Sequence, residues 1–98
     1  MIRVWEYDVP EAAAADFERV YGAEGAWAQL FSSCDDFEGT ELFASVTNSR
    51  RYLTVDRFRD VASWRRFQVE HREAYLALDA ESERLTVAER ELAGPDAD

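Results

Sequence analysis

Residues 51–82 read RYLTVDRFRDVASWRRFQVEHREAYLALDAES, a strand-like stretch followed at once by the longest amphipathic stretch of the chain. The β-branched and aromatic content of residues 51–58 predicts a strand. Between residues 60 and 82 the apolar side chains recur at helical spacing, which predicts one long helix. Its apolar stripe would comprise Trp64, Phe67, His71, Ala74, Tyr75 and Leu78. His71, the only histidine of the chain, is therefore predicted to point inward.

The remaining predicted elements alternate strands and helices. They are a strand over residues 2–9, a helix over 10–21, a short helix carrying Trp27, Leu30 and Phe31, a loop over 32–38, and a strand over 39–46. Residues 39–46 and 51–58 would form an antiparallel hairpin. The segment after the long helix fits either a helical turn over 86–89 or a short edge strand that includes Leu85, Val87 and Leu92, and we favour the strand.

This order predicts an α+β fold of the ferredoxin-like β-α-β-β-α-β type, in which an antiparallel sheet carries helices on one face. The domain would span residues 1–94, and residues 95–98 would be a frayed tail. Because the predicted strands are apolar on both faces, the second face of the sheet needs a cover. We expect a second copy of the chain to supply it, which gives a homodimer with its sheets facing each other.

Composition excludes several classes of function. A net charge of −10 over 98 residues argues against nucleic acid or an anionic membrane as partner. All eleven cationic residues are arginines, so lysine Schiff-base chemistry and a phosphate-loop lysine are excluded. Cys34 has no partner for an internal disulfide, and neither a signal peptide nor an apolar span is evident, so we expect a cytoplasmic protein. A lone histidine is a weak metal signal, so no metal is predicted.

The candidate site is an aromatic cluster beside His71. Trp5, Trp27 and Trp64 belong to three predicted elements that should converge between sheet and helices, together with Phe31 and Tyr75. Such a cluster is either a filled core or the wall of a pocket for a flat hydrophobic ligand, and the sequence leaves both open. In a pocket, His71 would act as acid, base or hydrogen-bond donor, and Tyr75 would donate to an oxyanion.

Several short patterns resemble a known group of proteins. They are Tyr21-Gly22-x-x-Gly25-x-Trp27-x-x-Leu30-Phe31, Gly39-Thr40-Glu41-Leu42, Tyr52-Leu53-Thr54-Val55-Asp56-Arg57-Phe58, Tyr75-x-x-Leu78-Asp79 and Leu85-Thr86-x-x-Glu89. Over nearly its whole length the chain resembles small, uncharacterised members of the antibiotic biosynthesis monooxygenase-like family. The resemblance implies a dimeric α/β barrel in which ferredoxin-like protomers pair sheet to sheet.

The same resemblance bears on chemistry. Oxygenase members of that family oxidise electron-rich aromatic substrates such as polyketide anthrones without flavin or metal, so no cofactor is expected. A haem-degrading branch uses a first-strand asparagine, and that position looks to be Trp5 here, so haem is not expected. We therefore predict a cofactor-independent monooxygenase-like protein that acts on a small aromatic or polyketide-type molecule. The alternative is a non-catalytic dimeric barrel that binds a small hydrophobic ligand or a protein partner, with His71 a satisfied core residue.

Overall fold

Four strands form one antiparallel sheet in the computed structural model, which describes residues 1–97. The strands are β1 (Ile2–Asp8), β2 (Phe37–Ala44), β3 (Arg51–Phe58) and β4 (Ala88–Ala93). Their order across the sheet is β2-β3-β1-β4, and every neighbouring pair is antiparallel. The two central strands pair from Ile2 opposite Arg57 to Asp8 opposite Arg51. This confirms the predicted ferredoxin-like α+β fold.

Helices fill the two crossover connections. They are α1 (Ala14–Tyr21), α2 (Ala26–Phe31), α3 (Val61–Glu70) and α4 (Arg72–Ser82), with 3₁₀ turns at Glu11–Ala13 and Glu83–Leu85. A close approach of α2 to the end of α1 depends on Gly25, because a Cβ there would lie 2.4 Å from the carbonyl oxygens of Arg19 and Val20. The two helices consequently pack closely against each other over the sheet.

The core between sheet and helices is built from aromatic rings. Phe31 of α2 is its hub, and its ring centroid lies 5.3–6.1 Å from those of Phe37, Phe58, Trp64 and Phe67. Edge-to-face and tilted pairs of this kind add about 0.5–1.5 kcal/mol each beyond the burial of their area. The core therefore joins α2 and α3 to β2 and β3 through one residue.

The predicted long helix over residues 60–82 is broken, which corrects the sequence prediction. Asp60 begins α3 as expected, since its carboxylate accepts from the backbone N–H of Ser63 at 2.8 Å. His71 then leaves helical geometry, with φ −119° and ψ 25°, and α4 starts at the next residue. The backbone hydrogen bonds from His71 to Phe67 and from Tyr75 to His71 persist at 2.9 Å, so the hydrogen-bond ladder continues across the break. Neither glycine nor proline marks this point in the sequence.

Several other boundaries differ from prediction by a few residues. β2 begins at Phe37, inside the predicted loop over 32–38, because the Phe37 ring packs 5.2 Å from Phe58. A register shift follows at Gly39, whose φ of 132° favours glycine. At the other end the favoured edge strand exists as β4 and includes Leu92, but Leu85 belongs to the preceding 3₁₀ turn and Val87 precedes the strand. Residues 95–96 form a turn, and Asp96 pairs with Arg65 at 2.8 Å. Only Asp98 of the predicted frayed tail lies outside the described residues.

The opposite face of the sheet carries no helix. Side chains alternate along β1, so Arg3, Trp5 and Tyr7 face the helices while Ile2 and Val4 face outward. None of the helices within residues 1–97 has the length and apolar character needed to cross a membrane.

Candidate active-site cavity

A cavity lies between the sheet and the helices. From the sheet it is lined by Arg3, Trp5, Tyr7, Thr40, Thr54, Asp56 and Glu89. From the helices it is lined by Tyr21, Trp27, Phe31, Tyr75 and Asp79. The space open to the centres of water molecules is about 60 Å³. Because one buried water needs on the order of 10–15 Å³ on this measure, the cavity holds several waters or one small ring.

Four of the six predicted site residues meet in this cavity. Trp5 comes from β1, Trp27 and Phe31 from α2, and Tyr75 from α4. The rings of Trp27 and Tyr75 meet edge to face at 5.1 Å, and those of Trp27 and Phe31 lie 5.7 Å apart. The aromatic cluster is thus a core whose inner edge opens onto a cavity, which combines the two alternatives that the sequence left open.

Trp64 and His71 lie elsewhere. Trp64 is buried behind the cavity wall, and the guanidinium of Arg3 sits over its ring at 4.0 Å. His71 is half-buried at the junction of α3 and α4, where its ring stacks on Phe67 at 5.2 Å. Neither residue is among those that line the cavity. His71 lies one helical turn before Tyr75 along the chain. Tyr75 is part of the cavity lining, whereas His71 is not.

The principal polar feature of the cavity was missed by the sequence analysis. Arg3 and Asp56 face each other on β1 and β3, are only 6% and 5% exposed, and form an ion pair of 3.0 Å between Nη1 and Oδ2. The hydroxyl of Thr40 donates to the other carboxylate oxygen, Oδ1, at 2.7 Å. The alternation of side chains along the strands indicates that both residues point inward, because Arg3 shares a face with Trp5 and Asp56 shares one with Tyr52.

Burial and the neighbouring groups act in opposite directions on the pKa of Asp56. Loss of solvent raises the pKa of Asp56, while the charge of Arg3 and the hydrogen bond from Thr40 act in the opposite direction. Arg3 is further held by aromatic faces, with Trp5 and Phe31 at 5.9 and 5.8 Å in addition to Trp64. These contacts therefore hold both charged groups in fixed positions in the cavity wall.

Two phenols of the cavity are held in their protonated form. Burial raises the pKa of Tyr7, whose hydroxyl lies 3.3 Å from that of Thr54. Burial likewise raises the pKa of Tyr75, against the opposing charge of Arg3. Both groups are consequently O–H donors at neutral pH, and Tyr75 could donate to an oxygen that gains negative charge.

Two buried indole N–H groups and an acidic rim adjoin the cavity. The indole N–H groups of Trp5 and Trp27 are buried without an acceptor among the described residues. Asp79 and Glu89 stand at the rim, and the pKa of Glu89 is raised by burial and then by the charge of Asp79. The cavity thus has the phenol of Tyr75 in its wall and negative charge at its edge, an arrangement that suits a neutral molecule with an acceptor oxygen. Within residues 1–97, no three His, Cys, Asp or Glu side chains are grouped to hold a metal ion.

Comparison with solved structures places this architecture among known folds. The cofactor-independent oxygenase SnoaB from Streptomyces nogalater matches with a TM-score of 0.70 and 18% identity, over 98% of this chain and 93% of that chain. Rv0793 from Mycobacterium tuberculosis matches with a TM-score of 0.68 and 15% identity, over 97% and 94%. A candidate antibiotic biosynthesis monooxygenase from Nitrosomonas europaea matches with a TM-score of 0.66 and 7% identity, over 99% and 92%.

The chain therefore has the fold of the antibiotic biosynthesis monooxygenase-like proteins, as the sequence resemblance predicted. At identities of 7–18% these likenesses concern the fold, and the chemistry has to be argued from the site. No family model and no curated protein matches the sequence.

Proposed function

We propose that the protein is a cofactor-independent monooxygenase-like enzyme that acts on a small aromatic or polyketide-type substrate in the cavity between sheet and helices. The observation that carries this proposal is a cavity walled by Trp5, Trp27, Phe31 and Tyr75, in which the Tyr75 phenol is a protonated hydrogen-bond donor. Flat aromatic rings fit against such walls, and donors orient their oxygen atoms.

The electrostatics favour a substrate that enters uncharged. Asp79 and Glu89 at the rim, together with a net charge of −10, repel anions. A phenol or an anthrone is neutral at physiological pH and becomes an anion only after it loses a proton. The donors of the cavity would then stabilise the oxygen that carries the new charge.

The proposed chemistry needs only the substrate and dioxygen. After a proton is lost from a methylene group that is conjugated with a carbonyl through the aromatic rings, the electron-rich carbanion transfers electrons to O₂. One oxygen atom ends in a new carbonyl at the methylene carbon, and the other leaves as water with the two hydrogens. The protein would supply the base, the donor to the anion and a site shielded from bulk water.

His71 and Tyr75 keep their predicted roles as hypotheses for this reaction. Tyr75 lines the cavity, so its hydroxyl is the better supported of the two as oxyanion donor. His71 stacks on Phe67 outside the cavity lining, so a role as base requires it to reach the substrate from the α3–α4 junction. Replacing Tyr75 with Phe keeps the ring, and we expect the turnover number to fall about 10²-fold, as for loss of one oxyanion donor.

We further propose that the outer face of the sheet pairs with a second copy of the chain. Ile2 and Phe43 on this face are 46% and 47% exposed, and Val4, Leu53 and Val55 continue the apolar surface between them. A depression of about 230 Å³ lies beside Phe43 and Leu53, and Glu6 and Arg51 also line it. Ion pairs are interspersed with the apolar residues of this face, among them Arg51 with Asp8 and Arg57 with Glu41. A second copy of the same face would meet the apolar groups with apolar groups and the charges with opposite charges.

The second candidate function is a binding module without catalysis. The small volume of the cavity favours it, because one ring of a ligand fills about 60 Å³ and leaves little room for dioxygen beside it. Such a module would hold a small hydrophobic ligand with the same walls.

One experiment separates the two functions. The purified protein is incubated with 1,8-dihydroxyanthrone under ¹⁸O₂, and the product is analysed by mass spectrometry against a sample without protein. Catalysis predicts faster formation of an anthraquinone that contains one ¹⁸O atom. Binding alone predicts quenching of tryptophan fluorescence by the probe without acceleration. Asp16→Asn, which changes an exposed residue paired with Arg19 on α1, serves as the matched control.

A further inference from the structure

The buried pair of Arg3 and Asp56 is unusual for the core of so small a domain. Elsewhere the core consists largely of aromatic rings, and a buried ion pair stabilises a fold no better than well-packed apolar residues of the same volume. Both partners line the cavity, so the pair is in position to meet a ligand.

From this placement we infer that Arg3 and Asp56 form the acid–base centre of the cavity. Asp56 takes a proton from a neutral aromatic substrate, and Arg3 stabilises the anion that remains. This inference rests on the proposed oxygenase function and names the residues that would start its reaction.

The hydrogen bonds leave both groups able to engage a substrate. Each oxygen of Asp56 accepts one hydrogen bond, from Arg3 and from Thr40, and a carboxylate oxygen has a second lone pair to receive a proton. The guanidinium of Arg3 carries five N–H donors, and its hydrogen bond to Asp56 uses one of them, on Nη1. Further donors of Arg3 are thus available to an anion in the cavity.

Charge balance makes the pair suited to this step. Before the reaction the site holds Arg3 as cation and Asp56 as anion. The transfer breaks a C–H or O–H bond of the substrate and forms an O–H bond on Asp56, so the substrate becomes the anion opposite Arg3. At no stage does the cavity contain an unpaired charge, which would be costly away from water. No electrons leave the substrate in this step, and the oxidation by dioxygen follows it.

The surroundings of Asp56 support the assignment. Its pKa is raised by burial, which makes the carboxylate a stronger base than an exposed aspartate. The groups that face it are Arg3 and Tyr7 from β1 and Thr40 from β2. Tyr75 of α4 faces Arg3 from above the sheet. Because burial raises the pKa of both phenols, neither competes with Asp56 as base near neutral pH.

The test combines aerobic turnover with anaerobic proton exchange. Wild type, Asp56→Asn and the control Asp16→Asn are compared with 1,8-dihydroxyanthrone as probe, first under air and then without oxygen in D₂O. Exchange of the methylene protons for deuterium is followed by nuclear magnetic resonance and reports proton abstraction without any oxidation. We expect Asp56→Asn to lower both rates by about 10²–10⁴-fold, the contribution of a general base, while probe binding measured by tryptophan quenching is retained.

A second variant guards against loss of folding. If Asp56→Asn loses its circular dichroism spectrum, the double variant Arg3→Met with Asp56→Leu, which replaces the pair by apolar side chains, takes its place with the same expected loss.

The outcomes separate the inference from the function on which it rests. If wild type oxidises the probe and the variant does so within threefold, the acid–base assignment is overturned and the oxygenase function stands. If wild type exchanges protons through Asp56 without accelerating oxidation, the assignment stands and the oxygenase function fails. If wild type does neither, both fail.

Discussion

The stability of the protein should depend on the Arg3–Asp56 pair in a way that distinguishes breaking it from replacing it. At 3.0 Å, and with an effective dielectric constant of about 20, the attraction between the two charges is about 5.5 kcal/mol. Desolvation of two side chains that are each 7% exposed offsets most of this attraction. We therefore expect Asp56→Leu or Arg3→Met alone to lower the free energy of unfolding by about 3–5 kcal/mol, because each leaves an unpaired buried charge. The double variant should lie within about 2 kcal/mol of wild type.

Urea unfolding at one fixed protein concentration measures these values, with tryptophan fluorescence and circular dichroism as two probes. The fixed concentration matters because a dimer would make the midpoint depend on it. The double-variant cycle then gives the coupling free energy between the two residues. A double variant as unstable as the sum of its two single variants would refute the reasoning, since the residues would then be independent.

Other predictions concern the core, a helix end and the sheet face. Phe58 is fully buried, so Phe58→Ala should cost about 3–5 kcal/mol of unfolding free energy, and a calorimetric loss below about 1 kcal/mol would contradict this. The pKa of Asp60 lies below 3.8 because its carboxylate accepts hydrogen bonds from the hydroxyl and backbone N–H of Ser63. Its contribution is present above the unfolded pKa and lost as pH falls through the folded value, so Asp60→Asn should flatten the decline in urea midpoint from about pH 5 to about pH 2. Phe43→Glu with Leu53→Glu should convert a wild-type dimer to a monomer in analytical ultracentrifugation, and a monomeric wild type would exclude the sheet-face dimer.

Periodicity accounts for what the sequence predicted correctly. Alternation along residues 2–9 and 51–58 and helical spacing after Asp60 were sufficient for the element order, and that order admits few topologies. The order of helices and strands therefore follows from local sequence patterns. The cavity lining includes Trp5, Trp27, Phe31 and Tyr75 from three different elements, so their meeting depends on the fold as well as on spacing.

The break between α3 and α4 and the pairing of Arg3 with Asp56 could not be predicted from spacing. The backbone leaves helical geometry at His71 without any glycine or proline to mark it, so the spacing of a single helix did not show that His71 lies outside the cavity lining that contains Tyr75. Arg3 and Asp56 are 53 residues apart, and their pairing depends on the register of β1 against β3. Register is a tertiary property, and an isolated charge in a strand gives no sign of its partner.

All four tyrosines of the chain are kept from ionising by the fold. Burial raises the pKa of Tyr7, Tyr21 and Tyr75, with Tyr21 at about 12, and the carboxylate of Glu18, which accepts from the Tyr52 hydroxyl at 2.6 Å, raises that of Tyr52 to about 12. An unfolded chain releases these protons near pH 10, so alkali favours the unfolded state as pH rises above that value. The ultraviolet band of tyrosinate would consequently emerge together with the loss of native structure, and the chain carries its own optical indicator of alkaline denaturation.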